Sequence, residues 1–69
     1  MRNDLFLKEM GRKMRAIRHE RKITLVQLAA LCHFGYDAIS RIELGKKDCH
    51  ILTLKTIADN LQVDIKDLI

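Results

Sequence analysis

Residues 23–45 constrain the chain more than any other stretch, because they hold two short helical patterns with almost no room between them. The first opens at Thr24, a good N-cap residue, with Gln27 three positions later to complete a reciprocal capping box. Leu28, Ala29 and Cys32 then share one face, with Leu31 at its edge, before the turn His33-Phe34-Gly35. The second pattern covers residues 36–44, with Ile39 and Ile42 as its buried seam and Gly45 as the left-handed residue that ends it. Helices joined by so short a turn approach closely, and Ala29 is the small residue such a crossing needs. Leu28, Cys32, Phe34, Ile39 and Ile42 fill the angle between them. Tyr36, Asp37, Ser40 and Arg41 remain as a polar outer face, and a short helix with such a face suits a DNA major groove.

The rest of the chain reads as helix too. It has no Pro and only three Gly, and apolar residues recur at three-to-four spacing with no alternation at period two. A first helix is predicted over residues 4–21, with Asn3 or Asp4 as its cap and Leu7, Met10, Met14 and Ile17 as its apolar stripe. A fourth starts near Leu52 or Thr53 and carries Leu54, Ile57, Ala58 and Leu61. Asp64 then caps a final short helix that returns Ile65 and Leu68 to the core. The expectation is an all-α, five-helix domain spanning residues 1–69 and packed around a single core.

Charge is unevenly spread over that frame. Residues 1–22 hold eight Lys/Arg against Asp4, Glu9 and Glu20, whereas residues 23–50 are balanced and residues 51–69 are slightly acidic. A basic first helix is compatible with a polyanion, although a solvated basic face would look the same. Cys32 occupies an apolar core position, and with Cys49 it makes no disulfide framework. No apolar run approaches membrane-spanning length and no signal-peptide core is present, so a cytoplasmic, nucleoid-associated protein with reduced thiols is expected. The pairs Cys32-His33 and Cys49-His50 lack zinc-ligand spacing, and there is no glycine-rich phosphate loop. A chain of 69 residues around one core also leaves little concavity for catalysis. No metal, no cofactor and no enzymatic activity are expected.

Several blocks then point to one family. Met10-Gly-Arg-Lys-Met-Arg-Ala-Ile-Arg18, Gln27-Leu-Ala29, Ile39-Ser-Arg-Ile-Glu43 with Gly45-Lys46, and Thr53-Leu54 leading to Ile57-Ala58, Leu61 and Val63 keep one register without a gap. In these blocks the chain resembles the phage-repressor/Cro-type (XRE family) helix-turn-helix proteins, from about Met10 to Ile69. The resemblance implies a lambda-repressor-like fold with the helix-turn-helix at residues 24–44 and its recognition helix at 36–44. It also implies an ion pair between Arg18 and Glu43 that holds the recognition helix to the scaffold.

Carried over position by position, Tyr36, Asp37, Ser40 and Arg41 become the candidates for base contacts. Arg41 can fork onto G O6 and N7, and a generic phosphate contact is its plainer use. Asp37 can accept from a cytosine amino group or hold Arg41 one turn on. Tyr36 can reach a phosphate or cover a thymine methyl. Phosphate contacts are expected from Lys46, Lys47, Lys13 and Arg15, and from N–H groups opening the second and third helices. Three residues depart from the family pattern: Leu25 stands where a DNA-contacting Gln is common, His33 where Gly is usual, and Gly35 where a capping Ser or Thr opens the recognition helix. The resemblance implies sequence-specific binding of double-stranded DNA by a transcriptional regulator, in the role of a repressor. A homodimer on a pseudo-palindromic operator is expected, because no separate oligomerisation domain is evident and apolar residues outside the core pattern remain for an interface. Those residues (Leu5, Phe6, Val26, Leu44, Leu52 and Ile69) equally suit an alternative, a protein-interaction module or antitoxin component built on the same fold.

Overall fold

A computed structural model describes residues 4–69. The N-cap expected at Asn3 lies outside them. Four α-helices follow one another as α1 (Asp4–Glu20), α2 (Leu25–Cys32), α3 (Tyr36–Glu43) and α4 (Ile51–Leu61), and a 3-10 turn closes the chain at Ile65–Asp67. The fifth expected helix is therefore a single 3-10 turn. Asp64 does cap it, but only three residues separate that cap from buried Leu68, so the bonds run three residues back: Asp67 N–H to the Asp64 carbonyl at 2.9 Å and Leu68 N–H to Ile65 at 2.8 Å.

The second helix forms as its sequence dictates. Thr24 Oγ1 accepts from Gln27 N–H at 3.1 Å while Gln27 Oε1 accepts from Thr24 N–H at 2.8 Å. Helix α4 starts earlier than its apolar pattern suggests, with His50 as N-cap. Ile51 and Leu52, its first two residues, are solvent-facing and so add nothing to the buried periodicity from which a start is read.

All four α-helices stop in the same way. At α2 the Phe34 N–H reaches back to the Ala29 carbonyl at 3.0 Å and the His33 N–H to Ala30 at 3.2 Å, the paired bonds of a Schellman motif. Lys22 and Ile23 close α1 identically, as do Gly45 and Lys46 for α3 and Gln62 and Val63 for α4. The motif demands one left-handed residue per stop, and only one of the four is glycine: Lys22, His33, Gln62 and Gly45 have φ of 58°, 59°, 62° and 74°. An apolar residue follows the left-handed one in three cases, and Ile23, Phe34 and Val63 all pack against the core.

A left-handed L-residue carries a penalty of about 1–2 kcal/mol, against an entropic cost for glycine of about 0.5–1 kcal/mol. His33 is exposed and its side chain offers little in return. His33→Gly is therefore expected to stabilise the domain by roughly 0.5–1 kcal/mol, read as a higher urea midpoint at unchanged slope.

The core gathers one stripe from each element: Met10 and Met14 from α1, Leu28, Ala29 and Cys32 from α2, Ile39 and Ile42 from α3, Leu54, Ile57, Ala58 and Leu61 from α4, with Leu68 closing the end. Arg21 ties α1 to the far end of α4, its Nε donating to the Leu61 carbonyl at 2.9 Å and Nη2 to that of Gln62 at 3.4 Å. A cation at the last carbonyls of a helix satisfies orphan acceptors and complements the dipole.

Candidate nucleic-acid interface

The position of α3 is set at its carboxy-terminal end by α1. Gly11 is buried where the two helices meet, and a Cβ there would lie 2.6 Å from the Ile42 carbonyl oxygen and still closer to that of Glu43. Gly45 makes a second close approach, since a Cβ on it would fall 2.7 Å from the Lys8 Cα. The two glycines bring the backbone of α1 against the end of α3 with no side chain between.

Arg18 and Glu43 lock that contact. Arg18 Nε donates to Glu43 Oε2 at 2.6 Å and Nη2 to Oε1 at 3.1 Å, a two-pronged pair whose side chains are only 9% and 5% exposed. Arg18 Nη1 spends a further bond on the Ile23 carbonyl at 2.9 Å, tying the pair to the start of the α1–α2 turn. No buried side-chain nitrogen or oxygen among the described residues lacks a hydrogen-bond partner. Such a pair fixes orientation because each buried charge has its counter-charge in one geometry.

With Ile39 and Ile42 turned inward and Glu43 clamped, α3 presents its other residues to solvent. Tyr36 is half-exposed, Asp37 and Arg41 are exposed, and Ser40 is partly buried beside them. The brace expected between Asp37 and Arg41 is not formed: no ion pair joins them among the described residues. The exposed Arg41 guanidinium is therefore not held by that carboxylate. Gly35 caps α3 without a side-chain bond, and Ala38 N–H is the first in the helix to reach back to its carbonyl, at 3.1 Å. The Tyr36 and Asp37 N–H groups ahead of it lie in the first turn, where an anion can be received.

The flanking cations fall into two sets. Lys46 and Lys47 follow Gly45 directly and are exposed beside the end of α3, where Lys47 lines a cleft of about 170 Å³ between α3 and the start of α4. On α1, Arg15 is exposed, whereas Lys13 Nζ donates to the Ile69 carbonyl oxygen at 3.1 Å. Leu25 is half-buried against the core, so the position opening α2 serves packing here.

Two structural residues escaped the sequence reading although each left a trace. Gly11 is an isolated glycine inside a strong helical pattern, which costs about 1 kcal/mol against alanine and so signals a packing reason. Arg21 looks like one more basic residue of a charged helix, and nothing local marks its reach to α4.

Burial raises the thiol pKa of Cys32, partly offset by a bond from Asn60, and burial beside the Asp48 carboxylate raises that of Cys49. Thiolate chemistry is thereby disfavoured at both. Among the described residues no group of three His, Cys, Asp or Glu side chains is placed to hold a metal ion, and no helix is long and apolar enough to cross a membrane.

Two short helices at a tight turn, the second braced from behind with a polar face outward, define the helix-turn-helix class of DNA-binding regulators. The chain belongs to that family: the model for "Helix-turn-helix domain" matches residues 9–68. It is 36% identical over 63 residues to the HTH-type transcriptional repressor RghR of Bacillus subtilis, a match covering 90% of this chain and 47% of that protein. The chain thus spans about half the length of this curated relative. Among solved structures, the restriction-modification controller protein C.AhdI from Aeromonas hydrophila superposes with a TM-score of 0.88 at 19% identity, covering 91% of this chain and 96% of that one. The clp gene regulator ClgR from Corynebacterium glutamicum gives 0.88 at 22% identity, covering 91% and 67%. At these identities the two structures establish the shared fold alone. The sequence relative is a transcriptional regulator, a class that performs no catalysis.

Proposed function

We propose that the chain is a sequence-specific transcriptional repressor of the cytoplasm and nucleoid, binding double-stranded DNA as a homodimer on a pseudo-palindromic operator. One observation carries the reading: α3 is locked by Arg18, Glu43 and Gly11 while its free face offers Tyr36, Asp37, Ser40 and Arg41. These four are the proposed base-reading residues, with Arg41 as the main determinant. Lys46, Lys47 and Arg15 supply phosphate contacts, and Lys13 joins them only by leaving the Ile69 carbonyl. The repressor role follows the relative RghR, whose name states it. For the homodimer, the support is the apolar surface left outside the core, with Leu5 73%, Leu52 76% and Leu44 52% exposed.

Selection from random duplexes tests the reading. Arg41→Ala should relax one base position at a cost of about 1–3 kcal/mol, while Lys46→Ala should weaken all sequences alike and lower the salt slope by about one unit. Enrichment of no motif by the unmodified chain would transfer the same fold and apolar surface to a protein-interaction or antitoxin role. Sedimentation showing only monomer, with and without operator, would remove the homodimer.

A further inference from the structure

Helix α2 contains no charged residue, and its inward positions Leu28, Ala29 and Cys32 are already in the core. Its outer side is nevertheless apolar. Val26 is 63% exposed and Leu31 50%, with exposed Ala30 between them. Beside them runs an open groove of about 490 Å³ lined by Lys22, Ile23, Gln27, Ala30 and Leu31. None of the five belongs to α3 or to the loop after it, so the groove is distinct from the proposed reading face.

The chemistry of the lining is one-sided. Its charged group is the Lys22 ammonium, and no carboxylate lines it. Gln27 has its Oε1 engaged with the Thr24 N–H, so the end of its side chain turned elsewhere is the Nε2 donor. The Gln27 side chain is held by the capping box, and the backbone of Lys22 by the left-handed stop of α1. An open apolar floor edged by donors complements a surface that is apolar and carries a carboxylate. A nucleic-acid backbone would leave that floor uncovered, and the homodimer proposed above draws on other apolar residues (Leu5, Leu44 and Leu52) that do not line this groove.

We propose that this groove docks the apolar face of an amphipathic helix from another protein, with an acidic residue of that helix meeting Lys22. The site gives a regulator a second contact outside the base-reading helix α3.

The test is an NMR titration of the isotope-labelled chain with a synthetic helical peptide bearing leucines at three-to-four spacing and flanking glutamates, and with its twin in which lysines replace the glutamates. Amide shifts should be confined to residues 22–31, and the acidic peptide should bind roughly fivefold tighter, the upper end of what a surface ion pair supplies. Lys22→Glu should reverse that preference and Leu31→Asp should abolish binding, both in chains whose remaining spectrum is unchanged. Arg41→Ala should leave peptide binding intact, which separates this result from the fate of the DNA reading. Absent shifts, shifts spread over α3, equal affinity for the two peptides, or groove signals that move with the chain's own concentration (a second copy in the groove) would each overturn the proposal.

Discussion

Glu43→Ala is expected to remove about 3–5 kcal/mol of stability, because it leaves the Arg18 guanidinium buried without its counter-charge. A domain of this size has only about 3–10 kcal/mol in total, so the loss is a third of the stability or more. The loss comes less from the ion pair's own net energy than from the unpaired charge that remains. A paired replacement therefore behaves differently: Arg18→Met with Glu43→Leu should recover most of the stability, since nothing charged is then left in the dry contact. Urea unfolding of Arg18→Met, Glu43→Leu and the double gives the coupling directly. Equal destabilisation by the double and by Glu43→Ala alone would contradict the account. The folded double variant should still bind DNA more weakly, because the end of α3 has lost its two-pronged brace.

Gly11→Ala is the second large effect, and its sign is the informative part. On an exposed helix face the substitution would stabilise by about 1 kcal/mol. Here the new methyl group would meet the carbonyl oxygens of Ile42 and Glu43, which are backbone and cannot rotate aside. Helix α1 must lift from α3, loosening Met10, Met14 and the Arg18 pair together. Overpacking of this kind costs about 1–3 kcal/mol or more before the helical gain is counted, and a net loss near 2 kcal/mol is expected. Thermal unfolding should show a midpoint lower by roughly 10 °C. Gly35→Ser is the matched control: a Cβ there meets nothing within 4 Å, and a hydroxyl at the N-cap of α3 should be neutral or slightly stabilising.

The elements that sequence specifies locally could be read from sequence. Thr24 and Gln27 form their capping box from residues three apart, His33 takes the left-handed conformation its position requires, and the inward residues of α2 and α3 follow from helical spacing. The Arg18–Glu43 pair was legible only through family resemblance, because its partners lie 25 residues apart and no local rule joins them. Arg21 on the last carbonyls of α4 and Gly11 against α3 depend on the crossing of distant elements, which periodicity does not encode. The opposite failure concerns Asp37 and Arg41. Their spacing permits a helical ion pair worth only about 0.3–0.5 kcal/mol when exposed, so spacing alone does not decide whether it forms: Lys55 and Asp59 pair at the same spacing at 2.6 Å and Asp37 and Arg41 do not. Helix α4 begins at Ile51, one residue before Leu52, and periodicity does not mark that start because its first residues are apolar but not buried.

The helix stops have a consequence for how this domain can vary. Three of the four left-handed positions are filled by Lys22, His33 and Gln62, so handedness is enforced by the paired backbone bonds and by the apolar residue that follows. Those positions then accept glycine, asparagine and unbranched polar residues, with glycine ahead by the roughly 0.5–1 kcal/mol expected for His33→Gly. Valine or isoleucine, whose branched Cβ cannot enter that region of φ, is barred. The angle between α2 and α3 can thus be inherited unchanged while the residue at its apex drifts. In chains of this kind the residue to examine for conserved shape is Phe34 and not its neighbour, because Phe34 anchors the turn to the core.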